Sequence, residues 1–227
     1  MNASAYHLIE SYMQACMEDS AHDREHVYRV LYSALDIAQS EPSAHLDVLI
    51  AACLLHDIGR KEQLDNPALD HALVGGEQAF RFLMEHGFDE DFCAHVRGCI
   101  ETHRFRRSCP PESVEAKILF DADKLDATGM TGIARSLMYS AGVGRPIYTR
   151  AADGTISDGT QSDEPSFFHE YRFKLEKLYD RFYTTRGTEL ALERKAIAVA
   201  CYEALLREVR EPEALGRELI LNLLEEN

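Results

Sequence analysis

Leu54-Leu55-His56-Asp57-Ile58-Gly59-Arg60 sets an imidazole and a carboxylate side by side at the end of an apolar run, Leu49 to Leu55. Successive residues of a helix point about 100° apart, so two neighbouring side chains do not share a face in mid-helix. At a helix end they can converge on one point. Gly59 reads as the residue that stops the run. Alone, a His-Asp dipeptide is most often a hydrogen-bonded pair in a buried helix, so the rest of the chain decides its meaning.

Around this stretch almost every segment has a helical period, and strand signals are scarce. The fold class is therefore all-α. Leu8, Ile9, Tyr12, Met13 and Cys16 form a first apolar stripe. Val27, Val30, Leu31, Ala34, Leu35 and Ala38 form a second, on a helix capped near Asp19, Ser20 or Asp23. His26 stands four residues before Val30 and so on or beside its buried face. Residues 60–70, with Asn66-Pro67, read as a loop. Asp70 caps a fourth helix that carries His71 and ends at Gly87. Gly75-Gly76 weakens that helix by about 1 kcal/mol per glycine, which implies close approach of another backbone or a ligand. Asp89 caps a fifth helix reaching His103. A long sixth helix runs from about Ser113 through Asp121, Asp123 and Asp126 to near Tyr139. Residues 141–166 are rich in Gly, Asp, Ser and Pro and read as a lid or mobile loop beside the site. Helices resume near Phe167, then from Thr188 to about Val209, with a short one after Pro212. This describes a single domain over residues 1–227: a core of about 5–140, the loop, and C-terminal helices from 167.

The chain has 227 residues, 45% hydrophobic, enough for one sizeable core. No apolar run approaches the roughly 20 residues of a membrane span, and the N-terminus does not read as a signal peptide. The six cysteines are scattered without a Cys-x-x-Cys pair, as expected of buried thiols in a reducing cytoplasm. A formal net charge of -15 argues against nucleic-acid polymers and anionic membranes as partners. It leaves room for a small phosphorylated substrate if a metal reverses the local sign.

His26, the pair His56 and Asp57, and Asp121-Ala122-Asp123-Lys124-Leu125-Asp126 come from different apolar helices. Nitrogen and carboxylate donors of this mix suit Mg, Mn, Fe, Co, Ni or Zn. Asp123, beside Ala122 and Leu125, needs a partner for a buried charge.

The order His, His-Asp, Asp resembles the HD-domain superfamily of metal-dependent phosphohydrolases. Three stretches carry the likeness: His22-Asp23-Arg24-Glu25-His26-Val27-Tyr28-Arg29-Val30, Leu54-Leu55-His56-Asp57-Ile58-Gly59, and Phe120-Asp121-Ala122-Asp123-Lys124-Leu125-Asp126-Ala127 with Gly129 and Gly132-Ile133-Ala134-Arg135. The last is similar to a motif of small stand-alone bacterial members. The resemblance covers about residues 5–205. It implies metal ligands His26, His56, Asp57 and Asp123, with Asp121 as runner-up. It places Arg60 near a phosphate, against a plain helix-end cation as the alternative. His71 and His103 match histidines that bind a second metal in some members and line the substrate pocket in others. His22, His95 and His169 are weaker candidates.

The function implied is hydrolysis of a phosphate ester or anhydride, with a nucleotide as substrate, by a nucleoside triphosphate pyrophosphohydrolase or a nucleotidase. Asp57 would orient a metal-bound water, and His71, His103, Glu62 or Asp65 would move protons. Arg60 and Lys124 would balance phosphoryl charge, with Lys61, Arg104, Arg106 and Arg107 as further cations. Two other readings are a di-iron oxygenase and a non-catalytic ligand-sensing module. A homodimer is a candidate assembly.

Overall fold

The computed structural model describes residues 1–17, 24–104 and 109–225. The caps expected at Asp19, Ser20 or Asp23, together with His22, Arg106 and Arg107, lie outside the described residues. Among those residues the regular structure is helical, apart from one isolated antiparallel bridge between Arg150 and Ile156. It divides into two compact units, Met1–Asp126 with Phe182–Glu189, and Ala127–Arg181 with Leu190–Asn227. The sequence reading has one domain with a boundary near 141.

The first unit holds α1 (Ala3–Cys16), α2 (Arg24–Ala38), α3 (Leu46–Leu55), α4 (Arg60–Asp65), α5 (His71–Glu85), α6 (Glu90–Glu101) and α7 (Val114–Asp126). Its axis is α3, apolar on all sides and therefore a helix that must be enclosed. Leu49, Leu54 and Leu55 are fully buried, each contributing about 2 kcal/mol of apolar burial. α1, α2, α5, α6 and α7 pack around it. The chain leaving α3 therefore delivers His56 and Asp57 into the middle of the unit.

Three readings of this region change. The helix ends at Leu55, and residues 56–59 form a turn before α4, which replaces the expected loop at 60–65. Gly59 is not a left-handed stop, because its φ is -84°. It is small because α5 runs against it: a Cβ there would lie 2.5 Å from the His71 carbonyl oxygen and 2.6 Å from Gly75 N. Gly75 returns the approach, its own Cβ position lying 3.2 Å from Gly59 N. The close contact expected at Gly75-Gly76 is thus one backbone against another at Gly75, and a helix against α6 at Gly76, where a Cβ would meet Glu101 Cγ at 2.8 Å. Asp70 and Asp89 cap α5 and α6 as the sequence predicts, accepting from Ala72 N and from Asp91 and Phe92 N. His103 falls just beyond α6, not within it.

The sixth predicted helix is two. α7 ends at Asp126, and α8 (Gly129–Gly142) begins after a break where Gly129 takes φ +62°. Gly132 then fits against Ala127, whose oxygen a Cβ would meet at 2.1 Å.

The second unit comprises α8, α9 (Phe167–Phe173), a 3-10 helix (Leu175–Asp180) and most of α10 (Thr185–Glu225). Its core is aromatic: Phe167, Phe168 and Tyr171 are buried, and Tyr171 stacks on Tyr202 at 4.1 Å. The two expected C-terminal helices are one, continuous through Pro212. Residues on both sides of the proline are anchored: Arg210 Nη2 donates to Ile156 O at 2.7 Å, and Arg217 Nη2 to Gly154 O at 2.7 Å. Those acceptors lie in the segment expected to be a mobile loop. Ile156 and Ser157 are buried, and Tyr202 Oη donates to Asp158 O, so the middle of this segment packs within the second unit.

Cys53, Cys93 and Cys99 are buried as expected, Cys16 and Cys201 are half-buried, and Cys109 is exposed. No helix among the described residues is long and apolar enough to cross a membrane.

Candidate metal centre

Six side chains from separate element ends meet in the first unit. His26 comes from the first turn of α2, His56 and Asp57 from the turn after α3, His71 from the start of α5, His103 from just past α6, and Asp123 from α7. They form two triads, His26–His56–Asp123 and Asp57–His71–His103, each with ligand atoms within 4.8 Å of one another. All six are buried except Asp123, which is 25% exposed.

Every imidazole aims Nε2 at the centre. His26 Nε2 lies 3.2 Å from Asp123 Oδ1 and 3.6 Å from Asp57 Oδ2. His56 Nε2 lies 3.4 Å from His26 Nε2 and 3.7 Å from Asp57 Oδ2. On the other side of Asp57, Oδ1 faces His71 Nε2 at 3.4 Å and His103 Nε2 at 3.7 Å.

The far nitrogens explain why the rings are turned this way. His56 Nδ1 donates to Cys53 O at 2.7 Å, and His103 Nδ1 to Ile100 O at 2.6 Å. His71 Nδ1 donates to Gln63 Oε1 at 2.6 Å, and His26 Nδ1 to Asp126 Oδ2 at 2.7 Å. With Nδ1 carrying a hydrogen, a neutral imidazole presents a lone pair at Nε2. Lone pairs therefore face carboxylate oxygens and one another. Asp57 Oδ2, His71 Nε2 and His103 Nε2 are buried without a hydrogen-bond partner, an arrangement that costs about 1–3 kcal/mol per group unless a cation sits between them. The donor set and its geometry fit a divalent metal.

The proton affinities follow. Burial opposes a charge on His26, but hydrogen bonds to Asp123 and Asp126 and the Asp57 charge outweigh it and lift its pKa to about 9. Burial drives His56 down to about 4, and burial with the Arg60 charge drives His71 to about 3. Burial also works against the Asp57 carboxylate, yet His56, Arg60 and His103 hold it well below the usual range. His26 does the same for Asp123. At neutral pH His56 and His71 are neutral imidazoles beside the Asp57 and Asp123 carboxylates, and His26 carries a proton.

Of the remaining candidates, Asp121 is not at the centre. Its buried carboxylate accepts from Tyr183 N, Thr184 N and Thr184 Oγ1 at 2.7–3.0 Å and anchors the start of α10. Arg60 Nε donates to Asp57 Oδ1 at 2.9 Å while the guanidinium remains 27% exposed. Arg104 pairs with Asp70, next to His71. Lys124 rests its ammonium 4.6 Å from the Phe182 ring centroid, an aromatic contact. Glu62 accepts from Gln78, and Asp65 and Lys61 are exposed. His95 pairs with Glu115 at 3.0 Å, and His169 stacks on Phe173. Asp126 and Arg29, quoted within the sequence motifs but given no role there, pair behind His26, Arg29 Nε donating to Asp126 Oδ1 at 2.7 Å, and Gln63 was not singled out at all. Asp126 and Arg29 are three residues beyond Asp123 and His26 on paired helices, a spacing that could have found them. Nothing in the sequence around Gln63 signals its role.

The HD-domain model matches residues 24–128, a span that includes all six converging side chains. The Bacillus subtilis protein YpgQ is 30% identical over 192 residues, 82% of this chain and 84% of that one. The chain belongs to the HD-domain family. Its fold agrees. The crystal structure of YpgQ in complex with ADP has a TM-score of 0.71 at 27% identity, covering 91% of this HD-domain chain and 98% of that one. An HD-superfamily hydrolase of Bacillus thuringiensis gives a TM-score of 0.71 at 26% identity over 92% and 98%. A predicted HD-superfamily hydrolase from an uncultured Thermotogales bacterium gives 0.62 at 28% over 92% and 99%.

Proposed function

We propose that this metal-dependent phosphohydrolase acts on a nucleotide, as a nucleoside triphosphate pyrophosphohydrolase or a nucleotidase. In this reading His26, His56, Asp57 and Asp123 hold one divalent ion, and Asp57, His71 and His103 a second. The observation that carries it is the convergence of the two triads, with Asp57 Oδ2, His71 Nε2 and His103 Nε2 buried and without a hydrogen-bond partner. The ADP bound by the YpgQ structure supports a nucleotide.

The chemistry such a centre would supply with a divalent ion bound is polarisation of a phosphoryl oxygen and activation of a water. The chain's residues do the rest. Asp57 presents Oδ2 toward His26 and His56 and Oδ1 toward His71 and His103, so this one carboxylate would serve both positions. His71 and His103 offer lone pairs at Nε2, which suits metal binding; His71, at about 3, holds a proton too weakly to serve as a strong base at neutral pH. Arg60, tethered to Asp57 and partly exposed, is placed to take a phosphate oxygen with its free N–H groups. Lys124 is left without a catalytic step.

Purified protein, stripped with chelator and screened with Mn, Mg, Co, Ni and Zn against nucleotides and generic phosphate esters, tests this reading. Release of phosphate or pyrophosphate from nucleotides, lost with chelator, is expected. Silence across the screen, with two irons per chain and oxygen consumption, would point instead to the di-iron oxygenase that the same six donors could support.

A further inference from the structure

The two triads differ in what stands behind their histidines. His56 and His103 are matched, each donating Nδ1 to the carbonyl three residues back. His26 and His71 are not. His26 is backed by the Asp126 carboxylate at 2.7 Å, which also accepts from Arg29 Nε at 2.7 Å and is buried. His71 is backed by the neutral Gln63 amide at 2.6 Å, and Gln63 Nε2 donates to Leu69 O at 2.8 Å, which fixes the amide's direction. A carboxylate behind an imidazole raises its basicity as a ligand more than an amide does.

The direct donors lean the same way. The first triad has Asp123 to itself and Asp57 Oδ2 within 3.7 Å of both imidazoles. The second has only Asp57 Oδ1, and that oxygen already accepts from Arg60 Nε at 2.9 Å.

We propose that Asp126 and Gln63 are positioning residues that rank the two metal positions. The His26–His56–Asp123 position fills first and tightly. The Asp57–His71–His103 position fills second and weakly, and the groups behind His26 and His71 widen the gap that the direct donors open. The ranking rests on the metal-centre reading above.

The test is a calorimetric titration of chelator-stripped, full-length protein with Mn²⁺, with free Mn²⁺ followed by electron paramagnetic resonance. Wild type should show a tight and a weak class. Asp126→Asn should weaken the tight class by about 10–100-fold and leave the weak class in place. Gln63→Glu should tighten the weak class by roughly 10-fold, and Gln63→Met, which removes the acceptor, should weaken it by a similar factor. A Gln63 series that leaves the weak class unmoved overturns the proposal, as does an Asp126→Asn effect equal on both classes, the mark of a structural role. If Asp126→Asn does not fold, the Gln63 pair decides alone. Wild type that binds no Mn²⁺ at all overturns the metal-centre reading itself, an outcome distinct from two classes that ignore the swaps.

Discussion

The accepting nitrogens of His26 and His56 face each other at 3.4 Å, each ring held in place by a hydrogen bond from its far nitrogen. Two imidazole lone pairs at that distance repel, so the pair is stable only with a positive charge between them. In the metal-free centre that charge is a proton on His26, whose pKa is raised to about 9.

A metal that takes this position must expel the proton. Between pH 7 and 8.5, binding of the first divalent ion should therefore release about one proton. Calorimetric titrations in buffers of different ionisation enthalpy read this number directly. A binding heat that does not vary with the buffer would show that His26 enters the reaction neutral.

The same values set how the metal-free protein responds to pH. His56, at about 4, and His71, at about 3, lie below the ordinary 6.5, so the unfolded chain takes up protons first. Their contribution is complete above pH 6.5 and is lost as pH falls toward 4. His26 is raised, so its contribution is complete below 6.5 and is lost as pH rises through about 9. The depressed carboxyls of Asp57 and Asp123 matter only in stronger acid. Urea unfolding in chelator should give a stability maximum near pH 6.5, with a loss on the order of 2 kcal/mol by pH 5. A maximum at pH 9 would mean that His26 does not carry the proton in the metal-free centre, and no loss toward pH 5 would mean that His56 and His71 are not buried neutral.

Arg60→Ala should raise KM for a phosphorylated substrate by about 10-fold or more, with smaller effects on kcat and metal content, because the guanidinium touches Asp57 from outside the proposed ligand set. Steady-state kinetics beside metal analysis decide it. Unchanged kinetic constants would leave Arg60 as a cation at the start of α4 and nothing more.

Much of this centre was readable from the chain. His26, His56, Asp57 and Asp123 stand in apolar helical surroundings, the resemblance to HD domains singles them out as ligands, and the structure brings the four together; Asp70 and Asp89 were legible because caps have local chemistry. Several of the errors share a cause. A glycine after an apolar run looks like a helix stop, yet Gly59 is set by α5 packing on it, a contact distant in sequence. Whereas the break at residues 127–128 has a local signal in Gly129 that the helical period of the segment hid, the passage of α10 through Pro212, between Arg210 and Arg217 tied to Ile156 and Gly154, likewise depends on partners distant in sequence. Gln63 was missed for the same reason.

Gly59→Ala tests that packing. Its Cβ would press on backbone atoms of His71 and Gly75, which cannot swing aside as a side chain would. A loss of about 1–3 kcal/mol is expected, along with weaker metal binding through displaced His71. A variant as stable as wild type would mean that α5 can retreat without cost.

The central claim, that these six side chains form a metal centre, is tested most directly by anomalous diffraction from crystals of the protein soaked in zinc. The account predicts a peak about 2.0–2.2 Å from Nε2 of His26, Nε2 of His56 and a carboxylate oxygen of Asp123, with any second peak bounded by Asp57, His71 and His103. A peak held by other residues, or none at this centre with zinc in excess, would contradict it.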